Sequence, residues 1–236
     1  MYKNLGMTVV EQLRISVLGL QDFEERIDVH GIEHYRLAAV RSNGALVLMA
    51  HLGNWELCGY STRLVDCPVS VVVKPMKNKK FEAYLTRTRE RMGAHMLPTT
   101  SSYRECLRRL RKAEILTMIL DQNTHRHRGV FVEFFGRPAC TTQGLAILSA
   151  QSQAPVIPVF VVRRDDDRYD MFIHPAIDPP ADREAASLRQ ATQHYTRIIE
   201  DMIRKYPDQW IWIHRRWRTR PKQETAADAS TRVTGS

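Results

Sequence analysis

The chain has 236 residues, 43% of them hydrophobic, and carries a formal net charge of +9 at pH 7. A chain of this size buries one sizeable core, and because no segment rich in Pro, Gly or Ser divides it, we expect a single domain. The four cysteines have neither zinc-site spacing nor the pattern of a disulfide framework, and no apolar stretch reaches the ~20 residues that a membrane-spanning helix needs. Composition therefore argues against a disulfide-rich secreted protein and against a membrane-spanning segment.

Residues 1–20 are predicted to form a helix because apolar side chains recur at nearly helical spacing. These side chains are Leu5, Val9, Val10, Leu13, Val17 and Leu20. We interpret the resulting apolar stripe as core or as a surface that packs on another helix. The alternative is an interfacial role, in which the stripe lies against a membrane.

A strand over residues 45–50 is predicted to lead into the hexapeptide His51-Leu52-Gly53-Asn54-Trp55-Glu56. Gly53 and Asn54 suit a turn and a helix entry, so His51 is expected at the carboxyl end of the strand, where open α/β sheets bind ligands. Glu56 then lies on the first helical turn, and we expect it to fold back and orient the imidazole as a general base. The spacing alone also fits a histidine and a surface carboxylate that never meet.

Basic residues cluster in three segments, which indicates an anionic partner. The segments are residues 74–91, 104–112 and 215–222. The candidate partners are nucleic acid, an anionic bilayer and an acidic carrier protein that delivers a substrate; solvated helix faces are the alternative without a partner. Nucleic acid is disfavoured, because zinc-finger spacing, an RNP aromatic pattern and an evident helix-turn-helix are all missing from the sequence.

Short, apolar and often β-branched runs predict further strands over residues 69–73, 115–120, 156–162 and 169–174. Helical patterns alternate with them at residues 81–92, 102–113, 142–153 and 184–206. This alternation favours an α/β fold with a central, mostly parallel sheet flanked by helices. Residues 222–236 have little apolar content and are predicted to form a disordered tail, which leaves residues 1–221 as the domain.

The tripeptide Asp121-Gln122-Asn123 follows a predicted strand as His51 does, so both are expected at one edge of the sheet. Asp121 is a candidate for holding a basic residue or a substrate hydroxyl, and a turn cap is the alternative. Nearby, His125 and His127 lack a third ligand. We therefore interpret them as part of a basic loop and predict no metal site.

Four segments, taken together and in this order, resemble the late acyltransferases of lipid A biosynthesis, the bacterial lauroyl and myristoyl transferases. They are the HxxxxE block at residues 51–56, the tripeptide at 121–123, residues 129–142 and residues 209–221. The third begins Gly-Val-Phe-Val-Glu-Phe-Phe-Gly-Arg-Pro-Ala, and the fourth begins Gln-Trp-Ile-Trp-Ile-His-Arg-Arg-Trp. The resemblance covers nearly the whole chain up to Pro221.

This resemblance implies a glycerolipid-acyltransferase-like fold with His51 and Glu56 as the catalytic pair. It implies transfer of a fatty acyl chain from an acyl carrier protein thioester to a hydroxyl of a lipid A precursor, without a metal or a cofactor beyond the acyl donor. Members of the family usually carry an amino-terminal membrane anchor before the region where this sequence begins. We therefore expect a form without its anchor, attached peripherally to the cytoplasmic side of the bacterial inner membrane.

Residues near the carboxyl end are candidates for binding the acceptor. The resemblance implies that Gly136 and Arg137 lie beside the acceptor lipid, and the planar guanidinium of Arg137 suits a phosphate. The residues expected to face the lipid headgroup are His214, Arg215 and Arg216.

Donors for the tetrahedral oxyanion are less well defined. The candidates are the Arg89 guanidinium and the backbone N–H groups of Gly53 and Asn54, and the sequence does not rank them. Asn54 and Arg89 are accordingly predicted as substrate-binding residues.

Two other functions stay open at this point. The nearer one is an acyltransferase that acts on another lipid, such as a lysophospholipid or a glycolipid, with acyl-CoA as the donor. The more distant one is a basic module that binds a membrane surface or nucleic acid without turnover, in which the HxxxxE block is incidental. Activity on a panel of acceptor lipids distinguishes the other acyltransferase from one that acts on a lipid A precursor. Salt-sensitive binding without acyl transfer would identify the binding module.

Overall fold

The apolar run before His51 forms the central strand of the molecule. In the computed structural model, which describes residues 2–18, 21–40, 43–65, 67–99 and 103–222, all five side chains of strand β2 (Ala45–Met49) are buried. Gly44 precedes this strand with a φ of +64°, and a Cβ there would approach the Glu114 carbonyl oxygen to 2.3 Å. Glycine is therefore required where the chain enters the strand.

Seven strands form one mostly parallel sheet in the order β1-β9-β8-β2-β5-β3-β4. Besides β2 they are β1 (Ile27–His30), β3 (Val69–Val73), β4 (Ala94–Pro98), β5 (Ile115–Ile119), β8 (Val156–Arg163) and β9 (Tyr169–Ile173). Strands β8, β2, β5, β3 and β4 run parallel. Strand β9 pairs antiparallel with β8, and β1 pairs parallel with β9, so these two run the opposite way. A separate antiparallel hairpin consists of β6 (Gly129–Phe134) and β7 (Arg137–Thr142).

Helices cover both faces of the sheet. They are α1 (Tyr2–Leu18), α2 (Gln21–Glu24), α3 (Ile32–Ala39), α4 (Lys79–Arg91), α5 (Tyr103–Leu110), α6 (Gly144–Ser152) and α7 (Ala185–Lys205), with 3₁₀ segments at Trp55–Arg63, Arg126–Arg128 and Pro207–Gln209. Along β2, Leu46 and Leu48 join a core cluster with α5, α6 and α7. Val47 and Met49 point the other way and join a second cluster with α3 and the first 3₁₀ segment. The described residues thus form a single three-layer α/β domain.

The structure confirms the predicted fold class and every strand and helix that the sequence analysis places. It adds β1, β4, the β6–β7 hairpin, α2 and α3, which the sequence analysis does not predict. Strand β4 shows the reason: it contains an exposed histidine and ends in a proline, so its apolar pattern is broken. Leu20 and nearly all of the expected disordered tail lie outside the described residues, and the tail stays a prediction.

Helix α1 forms as predicted, but its apolar stripe does not join the core. The exposed members of the stripe are Val9, Val10, Leu13 and Val17. The buried side chains of the helix are instead Thr8, Glu11, Gln12 and Ile15. The interpretation of the stripe as core is therefore wrong for these four residues. A largely polar face is buried because Glu11 forms an ion pair with Arg163 at the end of β8, with 2.6 Å between nitrogen and oxygen.

Candidate active site

Strand register brings His51 next to Asp121. Strands β2 and β5 pair in parallel with Met49 opposite Ile119. His51 lies two residues after Met49, and Asp121 lies two residues after Ile119. His51 Nδ1 lies 2.8 Å from Asp121 Oδ1, and the His51 backbone N–H donates to Asp121 Oδ2 over 2.9 Å. Both side chains therefore lie at the carboxyl edge of the parallel strands, where α/β proteins bind ligands.

The Asp121 carboxylate is buried and held by a third donor from the carboxyl-terminal segment. Trp210 Nε1 donates to Asp121 Oδ2 over 2.8 Å, and the Trp210 ring is buried. A backbone hydrogen bond from Ile211 N–H to the His51 carbonyl oxygen, 3.2 Å long, ties this segment to the same loop. The carboxylate thus has a fixed orientation toward the imidazole.

The electrostatics of the pair suit a base. Burial by itself lowers the pKa of the His51 imidazole, but the charge of Asp121 and its hydrogen bond outweigh burial, and the pKa is raised above its ordinary value. Burial raises the pKa of Asp121, yet the neighbouring imidazole outweighs it and the net direction is downward, so the carboxylate stays ionised. An ionised Asp121 only accepts, so the proton of neutral His51 sits on Nδ1 and Nε2 is the basic atom.

Glu56 forms its hydrogen bonds with Arg89 and not with the imidazole, so the expectation that it orients His51 is wrong. Arg89 on α4 donates from Nε to Glu56 Oε2 over 2.9 Å and from Nη2 to Oε1 over 2.7 Å. Trp55 Nε1 also donates to Oε1, over 3.0 Å. The 3₁₀ segment turns this carboxylate toward α4 because the chain coils tightly straight after the loop. Asp121 therefore occupies the orienting position that the sequence analysis gives to Glu56.

Gly53 and Asn54 shape the loop that carries His51. A Cβ at Gly53, where φ is +59°, would approach the Val161 carbonyl oxygen to 2.0 Å. The buried Asn54 side chain caps the 3₁₀ segment and donates to Glu11 Oε2 over 2.6 Å. The two backbone N–H groups donate to the carbonyl oxygens of Gln209 and Val161 over 3.0 and 3.1 Å. The predictions of Asn54 as a substrate-binding residue and of these N–H groups as oxyanion donors are therefore wrong.

An apolar cavity of about 700 Å³ opens beside His51. Its polar wall contains His51, Glu56, Arg89 and Gln122, and the Gln122 Nε2 atom lies 3.4 Å from His51 Nε2. The apolar wall includes Cys58, Val69, Val71, Leu85, Met92 and Ala94. A cavity of this size, with apolar side chains and a few charged or amide groups beside His51, fits an apolar ligand that carries a polar group.

Gly136 and Arg137 lie at the turn of the β6–β7 hairpin and do not line the cavity. Both residues are exposed, and the Arg137 guanidinium lies over the Trp217 ring at 5.6 Å from its centroid. The structure therefore does not bring this pair to the His51 site.

Arg216 is buried, so the expectation that it faces a lipid headgroup is wrong. Its Nη1 donates to the Cys140 carbonyl oxygen over 3.0 Å and its Nη2 donates to the Thr141 hydroxyl. Burial lowers the pKa of Arg216 to about 10, which still leaves it charged at neutral pH. His214 Nε2 accepts the Asn123 N–H over 2.8 Å. Among the three headgroup candidates, Arg215 alone is exposed.

Trp210 and Gln122 belong to the site, although the sequence analysis does not assign them a role there. Trp210 lies in a run of aromatic side chains, and nothing in its spacing points to a carboxylate partner. Within the described ranges no group of three or more His, Cys, Asp or Glu side chains is arranged to hold a metal ion. No helix in the same ranges has the length and apolarity to span a membrane.

The chain is similar to known acyltransferases over most of its length. The lipid A biosynthesis palmitoleoyltransferase of Escherichia coli K12 is 30% identical over 228 residues, which are 95% of this chain and 72% of that protein. The phosphatidylinositol mannoside acyltransferase of Mycolicibacterium smegmatis is 25% identical over 212 residues, 88% of this chain and 67% of that one. Residues 1–219 match the bacterial lipid A biosynthesis acyltransferases. The chain belongs to that family.

Among solved structures, the 1-acyl-sn-glycerophosphate acyltransferase PlsC of Thermotoga maritima aligns with 84% of this chain and 88% of its own. The TM-score is 0.43 and the sequence identity is 12%. A similarity of this size says nothing about a shared function.

Proposed function

We propose that this chain transfers a fatty acyl group from an acyl carrier protein thioester to a hydroxyl of a lipid A precursor. The observation that carries the proposal is His51, which is held by Asp121 at 2.8 Å and borders an apolar cavity of about 700 Å³. A base with a fixed tautomer beside a cavity that fits an alkyl chain is what attack on an acyl thioester requires. Membership of the family supports acyl transfer as the reaction.

In the proposed mechanism, His51 Nε2 removes the proton of the acceptor hydroxyl while the oxygen attacks the thioester carbonyl carbon. The ionised Asp121 stabilises the imidazolium that forms. When the tetrahedral intermediate collapses, the C–S bond breaks and the imidazolium returns its proton to the departing sulfur. An ester and a free thiol result, and no side chain needs to form a covalent acyl intermediate.

Arg89 is the side chain we propose as the oxyanion donor. A guanidinium has five N–H groups, and the two hydrogen bonds to Glu56 leave others on the same group. Arg89 lines the same cavity as His51, and its positive charge would stabilise a developing oxyanion there. Glu56 then contributes by fixing the orientation of Arg89, which gives the second carboxylate of the HxxxxE block a positioning role.

The donor is proposed to be an acidic carrier protein because the approach to the cavity is basic. Lys74 lines the cavity, and three further exposed lysines follow it closely: Lys77, Lys79 and Lys80. Such a cluster raises the association rate of an anionic partner through its long-range field. Acyl-CoA carries negative phosphates as well, so the test below includes both donors.

The acceptor side is proposed to be the surface of an anionic membrane, on the cytoplasmic side of the inner membrane. Exposed apolar side chains line the cavity from α1, from the loop before α4 and from the first turn of α4: Val9, Leu13, Met76 and Phe81. Apolar side chains bordered by lysines are the composition of a surface that inserts shallowly between anionic lipids. This arrangement would deliver a lipid hydroxyl directly to His51. Neither nucleic acid nor a metal has a part in the proposal.

The experiment that tests the proposal is transfer of a radiolabelled acyl group by the purified chain. The donors are acyl carrier protein and CoA thioesters, and the acceptors are a lipid A precursor, a lysophospholipid and a phosphatidylinositol mannoside, each in anionic vesicles. We expect transfer to the lipid A precursor from the carrier protein, and a rate lower by about 10³-fold or more from His51→Gln. Transfer at a rate close to native by a folded His51→Gln protein, or none from any donor by the native chain, would contradict the proposal.

A second candidate is transfer to another glycolipid from acyl-CoA. The observation that favours it is the similarity to the phosphatidylinositol mannoside acyltransferase of Mycolicibacterium smegmatis over 88% of this chain. The same panel decides between the two, because the preferred acceptor is the one with the larger kcat/KM.

A further inference from the structure

Among the described residues that line the cavity, Gln12 has buried side-chain polar atoms without a hydrogen-bond partner. Gln12 on α1 lines the cavity and is only 6% exposed, and both its Nε2 and its Oε1 atoms are buried without a partner. The other buried polar residues on the same face of α1 are satisfied: Thr8 donates to the Asn4 and Gly53 carbonyl oxygens, and Glu11 accepts from Arg163. The missing partner is therefore specific to Gln12.

Burying an amide without a partner is costly. A buried polar group without a partner loses its hydrogen bonds to water and gains none in return, and native proteins contain few such groups. The backbone around Gln12 is held in place, because the Tyr84 hydroxyl on α4 donates to its carbonyl oxygen over 3.2 Å. A shift of the helix thus cannot readily supply a partner, whereas a molecule in the cavity can meet the carboxamide after rotation of its terminal torsion.

The Gln12 atoms without hydrogen-bond partners determine which chemical groups a ligand must have. Its carboxamide offers two N–H donors and one carbonyl acceptor, so it needs a ligand with both an acceptor and a donor. A saturated acyl chain has neither. A thiol arm built from secondary amides, which links the acyl group to a carrier protein or to CoA, has both.

We propose that Gln12 is a binding residue for a secondary amide of the donor's pantetheine arm, which enters the cavity along α1 toward His51. This inference rests on the proposed acyl transfer, since it concerns the donor of that reaction. Gln12 and His51 border the same cavity. The carboxamide would thus select amide-containing donors over other thioesters without taking part in the chemical step.

The test measures binding of two unreactive probes, so that it does not depend on turnover. One is the S-dodecyl thioether of pantetheine, and the other is an S-dodecyl thioether of an ethylene-glycol thiol of equal length without amides. The variant is Gln12→Met, which keeps the length and removes both polar groups. The control is Gln190→Met on the exposed face of α7, outside the cavity lining.

We expect Gln12→Met to weaken binding of the pantetheine probe about tenfold, equivalent to about 1.4 kcal/mol, and to leave the amide-free probe unchanged. Thermal unfolding should show no loss of stability, because an unpaired buried amide is replaced by an apolar side chain. Equal weakening of both probes, or of neither, would overturn the inference. If the native chain discriminates between the probes as expected but transfers no acyl group, the amide site stands and the proposed function fails.

Discussion

Within the described part of the chain, two histidine–aspartate pairs each have a nitrogen–oxygen distance of 2.8 Å. In the first, the side chains of His51 and Asp121 are 21% and 3% exposed and border the apolar cavity. In the second, those of His30 and Asp170 are 52% and 19% exposed and lie outside the cavity lining. The same two residue types at the same distance therefore occupy sites of different character.

Sheet topology explains the difference. His51 and Asp121 follow β2 and β5, whose carboxyl ends share one edge of the sheet. His30 ends β1, which runs antiparallel to β2, so its carboxyl end lies at the opposite edge. Around it are charged side chains, such as Arg164 and Arg168, each paired with Asp28. The two pairs have the same nitrogen–oxygen distance, so this distance alone does not identify a catalytic base. His51 is a candidate because it lies at the carboxyl edge of the parallel strands and beside a cavity.

The largest effect is expected from removing each imidazole in turn. His51→Gln should lower kcat/KM for acyl transfer by about 10³- to 10⁴-fold, because the general base is lost. His30→Gln should leave kcat/KM unchanged, because an exposed ion pair contributes little. Steady-state rates of both purified variants check the contrast. Similar losses in the two would mean that the distinction between the pairs is false.

A smaller effect is expected at Glu56, the carboxylate that binds Arg89. Glu56→Gln removes the charge that binds Arg89 and should lower kcat/KM by about 10- to 100-fold through a less well placed guanidinium. The matched control is Glu105→Gln, which breaks the partly exposed ion pairs with Arg108 and Arg109. It should change neither the rate nor the urea midpoint appreciably. A Glu56→Gln loss as deep as that of His51→Gln would favour the carboxylate as a direct partner of the base.

Trp210 distinguishes the two pairs further. It donates a hydrogen bond to Asp121, whereas the hydrogen bond described for the Asp170 side chain is the one to His30. Trp210→Phe leaves Asp121 Oδ2 without its indole donor. Loss of a hydrogen bond to a buried charge should lower the free energy of unfolding by about 1.5–3 kcal/mol. Urea denaturation at neutral pH measures it. Asp170→Asn serves as the control at the other pair, and an equal loss there would contradict the assignment.

The smallest effect concerns two exposed apolar side chains on the surface. Val17 on α1 and Val40 after α3 are 80% and 81% exposed, but only Val17 belongs to the apolar stripe that borders the cavity. Val17→Glu should weaken binding to anionic vesicles about tenfold by removing apolar contact and adding repulsion. Val40→Glu should leave vesicle binding unchanged. Cosedimentation with vesicles checks both, and equal behaviour of the two variants would argue against α1 as the membrane face.

Much of this arrangement follows from local sequence pattern. The buried run before His51 and the run before Asp121 predict two strands whose carboxyl ends share an edge, and the structure confirms them. The sequence makes Asp121 a candidate for holding a basic residue at that edge, but it does not identify His51 as that residue, because the two are 70 residues apart and strand register brings them together. The prediction of the buried face of α1 is wrong for a related reason. The apolar side chains of the helix are regularly spaced, but the ion pair between Glu11 and Arg163 buries the polar face instead. Long-range pairing of polar groups leaves no periodic signal.

The most direct test of the central claim is the pH dependence of kcat/KM for acyl transfer by the native chain, Asp121→Asn and Glu56→Gln. His51 is active when neutral, and its pKa is raised chiefly by Asp121, so activity should fall as pH drops through that raised pKa. Asp121→Asn should move this acidic limb to lower pH and reduce the plateau by about 10²- to 10⁴-fold, whereas Glu56→Gln should move the limb less. A limb that stays in place in Asp121→Asn and shifts in Glu56→Gln would show that Glu56 orients the base, contrary to this account.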